Sequence, residues 1–204
     1  MGNGLPRWNG APGQDYPLII QEPDVAGPVF MRAKWGFIPG WMKEPKGGPK
    51  PANAKAETIA ANGMFKHAYR SRRALMPIHG YFEWHDVHAT GKNKQPYAIA
   101  MKDGTSFALA AIWEGRRGPE SGLEERTFAV LTCEANDMIT SIHDRMPVIL
   151  APADYKRWLS DMEPDPRDLL RPFPSELMRM WPISTKVNRP VNDTPDILNP
   201  DIPD

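Results

Sequence analysis

Short apolar runs broken by turn residues dominate this chain, and their spacing predicts strands more often than helices. Tyr16 to Ile20 and Val29 to Trp35 read as strands, the second alternating apolar side chains with Arg32 and Lys34 as a half-exposed strand does. Gly36 to Trp41 then turns the chain and leaves Trp41 at a loop tip, and Lys43 to Pro51 reads as a solvated loop. Ile59, Phe65, Ala68 and Tyr69 fall at roughly helical spacing, with Asn62-Gly63 weakening the middle, which predicts a helix ending in the basic run Lys66 to Arg73. Ala74 to Ile78 and Tyr81 to Trp84 predict two short strands, His85 to Lys94 a hairpin loop, and Pro96 to Met101, Ser106 to Trp113 and Thr127 to Cys133 three more strands. Gly115 to Glu125 reads as an exposed loop and Glu134 to Ile139 as a short helix. Pro152 to Leu159 is a better helix, because Pro152 suits a first turn and Tyr155, Trp158 and Leu159 share a face. Met1 to Gly13 is irregular and reads as a segment leaning on something else. Asp161 to Asp204 is proline-rich apart from a strand at Met180 to Ser184.

Composition sharpens this into a fold class. The 204 residues can bury one sizeable core and are read as a single domain, 1–204, with 161–204 as its proline-rich C-terminal part. The 23 prolines and 16 glycines disfavour long elements, so the class is α+β, rich in strand. Lysine plus arginine equals aspartate plus glutamate, 25 each, so a nucleic-acid site would have to be a local patch. Lys66 to Arg73 is the candidate patch, against the plainer reading of a solvated helix end. A single cysteine, Cys133, excludes an internal disulfide and sits in a run that reads as a buried strand. No apolar stretch is long enough to span a membrane and no signal segment precedes the body, which places the chain in a reducing compartment, the cytoplasm. His85 and His88 flank one loop without the further ligands a metal would need, so no metal or cofactor is expected.

Three polar words stand in apolar surroundings: Asn53 to Thr58, Gly80 to Trp84, and Ile142 to Pro147. They supply an amide, a carboxylate and an imidazole, enough for chemistry on a carbonyl. Taken alone, Asn53 also reads as a turn residue bonding its own backbone, and His143 as a core or capping histidine. Glu83 is less easily dismissed, since a carboxylate within Tyr81-Phe82-Glu83-Trp84 is costly to bury without a partner and burial raises its pKa toward that of a general acid. Trp41 is either a lid on the core or a stacking platform.

Together and in order, these words resemble the SOS-response-associated peptidase (SRAP) family, whose members act on abasic sites in single-stranded DNA. The resemblance rests on Arg7-Trp8-Asn9-Gly10-Ala11-Pro12, Trp35-Gly36-Phe37-Ile38-Pro39-Gly40-Trp41, Asn53-Ala54-Lys55-Ala56-Glu57-Thr58, Gly80-Tyr81-Phe82-Glu83-Trp84, Ala111-Ile112-Trp113-Glu114, Ile142-His143-Asp144-Arg145-Met146-Pro147 and Ser184-Thr185-Lys186-Val187-Asn188. It implies a barrel-like sheet of mixed and antiparallel strands with a few short helices, acting as a monomer on single-stranded DNA that contains abasic sites. It further implies that Asn53, Glu83 and His143 line one cleft. Asn53 would position the sugar, Glu83 would shuttle protons in ring opening and imine formation, and His143 would act at the sugar hydroxyl. Pro12, Trp41 and Trp84 would stack on or wedge against bases, and Lys55 and Arg145 would hold phosphates. By charge alone, Arg70, Arg72 and Arg73 are expected to extend that patch.

In this family a cysteine directly after the initiator methionine supplies both an α-amine, which condenses with the sugar aldehyde, and a thiol, which closes a thiazolidine. An α-amine with a pKa near ~8 is partly free at neutral pH, and the tethered thiol attacks at high effective concentration. Here residue 2 is Gly2, and Cys133 cannot substitute because its nitrogen lies in a peptide bond. The expectation is that Met1 is an internal methionine and that an upstream Met-Cys-Gly-Arg-like start completes the site. The alternative is a form that binds single-stranded or junction DNA without crosslinking, and a third reading, cysteine peptidase action, needs a nucleophile that Cys133 in a strand does not supply.

Overall fold

A computed structural model describes residues 6–42, 48, 50–117, 122 and 124–201; the expectations for Gly2 and for most of the loop from Lys43 to Pro51 lie outside the described residues. In chain order the strands are β1 (Asp15–Ile20), β2 (Val29–Trp35), β3 (Asn53–Lys55), β4 (Arg73–Ile78), β5 (Gly80–His85), β6 (Gln95–Met101), β7 (Phe107–Arg117), β8 (Glu124–Glu134), β9 (Arg145–Pro147), β10 (Ile149–Leu150) and β11 (Met178–Pro182), with helices α1 (Lys66–Ser71) and α2 (Tyr155–Leu159). The chain is α+β, mostly strand, as its proline and glycine content requires.

Five strands close on themselves. β1 pairs antiparallel with β2 and, at Ile19, with β4; β4 pairs with β7 and β7 with β8; β8 returns to β2 as a parallel pair, Lys34 opposite Thr127. Closure leaves these strands without a free edge, and their alternating inward residues, Leu18, Ile20, Met31, Ala33, Leu75, Ile112 and Phe128 among them, build one core. β3 joins the outer side of β8 in parallel, while β9 and β10 extend β8 and β7 antiparallel. A second sheet, ordered β11-β6-β5, starts at Gly80, where a Cβ would lie 2.8 Å from the Ile99 carbonyl oxygen and no larger residue fits. β5 has a strand on one side only, and this edge carries Glu83 and Trp84.

Several elements differ from the sequence reading, each for a visible reason. The helix expected from Ile59 is regular only over Lys66–Ser71: Asn62 Oδ1 accepts the Met64 N–H and turns the chain, although Ile59 and Phe65 are buried all the same. The short helix expected at Glu134 to Ile139 is replaced by a turn and a 3₁₀ segment, Ile139–Ser141, because Asn136 Oδ1 takes the Ile139 N–H while its amide reaches the Phe173 carbonyl at 2.7 Å. β7 and β8 run further than predicted, pairing as far as Arg117 opposite Glu124, so the loop between them is shorter than Gly115 to Glu125. The N-terminal stretch does lean on the C-terminal part: Asn9 is buried and its amide donates to the carbonyls of Val187, Arg189 and Asn192, while Asp193 accepts the N–H groups of Trp8 and Asn9.

The basic run resolves into separate tasks and not one patch. Arg73 is 4% exposed and donates to five backbone carbonyls, and Arg72 pairs with Glu114 at 2.8 Å. His67 and Arg70 remain exposed.

Candidate functional site

Glu83 and His143, 60 positions apart in sequence, meet. Glu83 projects from the edge strand β5, and His143 comes from the turn that precedes β9, whose pairing with β8 (Arg145 opposite Glu134) fixes that turn beside the small sheet. Nε2 of His143 stands 4.0 Å from Oε1 of Glu83, with both side chains partly open to solvent. That gap is too long for a direct hydrogen bond and fits one bridging oxygen, from water or from a sugar.

Their surroundings shift the carboxyl of Glu83 and hold the ring of His143 in place. Burial pushes the Glu83 carboxyl above the usual carboxylate range, while the Trp84 amide at 3.1 Å, His143 and Lys94 pull it back in part. Nδ1 of His143 has a partner for either protonation state: the Arg145 amide donates to it at 3.0 Å when it is unprotonated, and the exposed Asp144 carboxylate, 3.1 Å away, accepts from it when it carries a proton. A ring so held keeps Nε2 toward Glu83. Tyr81, two residues before Glu83 on the same face of β5, adds a buried hydroxyl with no partner among the described residues, and burial raises its pKa so that it stays a donor.

The remaining expected residues lie around this pair in different ways. Asn53 and Lys55 are exposed on β3, paired with Val130 and Thr132 of β8, and therefore share a sheet face with Arg145 across β8. Among the described residues, Asn53 forms no hydrogen bond with Glu83 or His143. The guanidinium of Arg145 grips Glu57 through two bonds, 2.6 and 2.9 Å, and also reaches the Thr132 carbonyl, so a phosphate there would have to displace a carboxylate. This pairing in turn holds the Glu57 carboxyl below its ordinary range. Trp84 lies against a small cluster of Ala98, Ile183, Val187 and Ile197, and its indole N–H donates to Asn188 Oδ1 at 2.7 Å. Trp41 is 63% exposed at its loop, and Pro12 is exposed in the turn before β1; neither pairs with the Glu83 group among the described residues. Cys133 is buried in β8, and burial pushes its thiol up to about 11, so it offers no thiolate at neutral pH.

Sequence reasoning missed Glu57 as the partner of Arg145, and Lys94 and Asn188 as neighbours of Glu83 and Trp84. Glu57 and Asn188 were inside recognised words; Lys94 carried no signal, being one of two lysines in a polar hairpin loop. Among the described residues no cluster of histidine, cysteine, aspartate or glutamate could hold a metal ion, and no helix is long and apolar enough to cross a membrane.

The raised pKa of Glu83 predicts a pH-dependent cost in stability. The folded form holds its proton more tightly than the unfolded form, so stability is lost as pH rises from the ordinary glutamate range through the folded value, and the loss persists above it. Glu83→Gln removes that loss. It is expected to melt a few degrees higher than the wild type at pH 7 and at the same temperature at pH 3; equal melting at both would contradict it.

Known proteins resemble this chain over most of its length. The family model described as SOS response associated peptidase (SRAP) matches residues 2–190. The abasic site processing protein YoqW of Bacillus subtilis is 34% identical over 196 residues, covering 95% of this chain and 85% of the relative. The abasic site processing protein YedK of Escherichia coli is 32% identical over 201 residues, covering 95% and 84%. The abasic site processing protein HMCES of Gallus gallus is 26% identical over 229 residues, covering 98% and 67%. Among solved structures, a protein from Bacteroides thetaiotaomicron superposes with a TM-score of 0.82 at 28% identity, covering 93% of this chain and 82% of that one.

Proposed function

Because the chain belongs to the SOS response associated peptidase (SRAP) family, we propose that it recognises and processes abasic sites in DNA, acting on the deoxyribose of a single strand. The observation that carries this reading is the 4.0 Å space between Glu83 and His143, sized for one sugar oxygen. An abasic deoxyribose is a cyclic hemiacetal. Opening it requires removal of the anomeric hydroxyl proton and delivery of a proton to the ring oxygen. Glu83, made more basic than an ordinary carboxylate by burial, takes the first; His143, presenting Nε2 on the other side of the gap, serves the second. The aldehyde so released is the group with which an α-amine forms an imine. When that amine belongs to a cysteine, its thiol closes a thiazolidine.

Lys55 and Asn53, exposed on the same face as Arg145, line the approach of the strand, Lys55 toward phosphate and Asn53 toward the sugar. The test is a gel-shift and a denaturing gel run in parallel on oligonucleotides with and without one abasic residue. Selective binding of the abasic strand is the expected result, and a band that survives denaturation marks crosslinking. Binding that shifts on the native gel alone marks a non-covalent reader of abasic sites, and equal affinity for both oligonucleotides would overturn the proposal.

A further inference from the structure

Tyr81 carries a buried hydroxyl that the ring-opening steps leave without a task. The side chain projects from β5, opposite Ile99 of β6, and packs against the main core. Its oxygen is closed off from solvent and has no hydrogen-bond partner among the described residues. A phenol in that state is costly, because its O–H gives up water and gains nothing in return. Phenylalanine would fill the same space without that loss. Burial also holds the phenol in its protonated form, so it remains a hydrogen-bond donor.

An acceptor without a donor stands on the same face. Strand pleating puts Tyr81 and Glu83 on one side of β5, their Cα atoms roughly 7 Å apart. Among the described residues, Oε1 of Glu83 takes the Trp84 amide at 3.1 Å and is the oxygen that faces His143, while Oε2 accepts no hydrogen bond. The charged and titratable neighbours of the two side chains come from several elements. His143 and Asp144 belong to the turn before β9, Lys94 to the loop between β5 and β6, and Cys133, which Tyr81 senses, to β8. None of them takes the hydroxyl. Lys94 is a donor, Asp144 is exposed and set against His143 Nδ1, and the buried Cys133 thiol, pushed up to about 11, is a weak acceptor.

The two unmatched groups complement one another once Glu83 is ionised. A hydrogen bond to a charged carboxylate is about twice as strong as one between neutral groups. Such bonds at reacting groups are often slack until the charge or substrate that they serve is in place. We propose that Tyr81 is a positioning residue for Glu83: its hydroxyl donates to Oε2, keeping the carboxylate ionised and Oε1 turned toward the gap shared with His143. Burial by itself drives Glu83 toward its neutral form, in which it could not take the anomeric proton, and the tyrosine opposes that drift. The part played in ring opening rests on the abasic-site reading above; the contact itself does not.

The test is Tyr81→Phe in the full chain, with a cooperative melt confirming a folded protein. In protein carrying ¹³C at the glutamate side-chain carboxyls, the Glu83 resonance is identified by its loss in Glu83→Gln and titrated by NMR without DNA. Removing the hydroxyl should move the titration midpoint upward by about one pH unit. A midpoint that stays in place overturns the proposal, whatever the melting temperature does. On an abasic oligonucleotide, the acid limb of the rate profile should move upward by the same amount, with affinity for a tetrahydrofuran analogue unchanged. A shifted midpoint with an unshifted limb would show that the contact does not serve the reaction, and the positioning role would fall. If the midpoint moves and the wild type neither prefers nor converts abasic DNA, the contact stands and it is the abasic-site reading that fails.

Discussion

Glu83→Gln is expected to slow the conversion of an abasic oligonucleotide by about 10²–10⁴-fold, read as crosslink or strand scission on a denaturing gel, while its affinity for the uncleavable analogue stays close to that of the wild type. Glutamine keeps the shape and can still accept the Trp84 N–H, so the loss isolates proton transfer from positioning. Affinity that fell in step with rate would mean that Glu83 binds substrate and does not act on it. The pH profile separates these roles further. The wild-type rate should fall on acidification at a pH above the ordinary glutamate range, because burial raises the pKa at which Glu83 takes up its proton. The variant's residual rate should lack that limb. His143→Ala should produce a loss of the same order. Because the two act in the same ring-opening step, the double variant should be little worse than either single one. Full additivity would place them in separate events.

Arg73→Met is expected to destabilise the chain by about 3–5 kcal/mol and to leave the salt dependence of DNA binding unchanged. The guanidinium donates from Nε to Trp158 (2.6 Å), from Nη1 to Tyr69 (2.8 Å) and Arg70 (3.1 Å), and from Nη2 to Ser160 and Glu163 (2.9 Å), every acceptor a backbone carbonyl. It also lies 5.5 Å from the centre of the buried Trp158 ring. Methionine fills the space but strands those carbonyls, at roughly 1–3 kcal/mol for each one that water cannot reach. At about 2–4 °C per kcal/mol for a chain of this size, the melting temperature should drop by on the order of 10 °C. Arg73→Lys should rescue little, since a single ammonium cannot span acceptors spread over α1, α2 and the segment after it. A stable variant with a shallower salt slope would restore Arg73 to the DNA path.

Long strands were legible because their signal is local. β1, β2, β4, β6 and β8 each carry their own run of apolar or alternating residues between turn formers, so no distant partner is needed to recognise them. The short ones were not. β3, β9 and β10 owe their extended form to hydrogen bonds with β8 and β7, and three residues of sequence hold no period. Asparagine also hid its work, because whether Asn62 and Asn136 bond their own backbone and end a helix depends on a competition that propensity does not decide.

For the site the division is similar. The chain's own order of residues determined a β-rich α+β domain, the family, and the polar words in which Asn53, Glu83 and His143 stand, since all of these are carried by residue type and spacing. Only tertiary structure decided that Glu83 and His143 face one another at 4.0 Å, that Arg145 is already held by Glu57, and that Arg73 serves the core. Each of these depends on a contact between segments many residues apart. A charged side chain reads the same in sequence whether its partner is water, a phosphate or a carbonyl, and the fold alone supplies that partner.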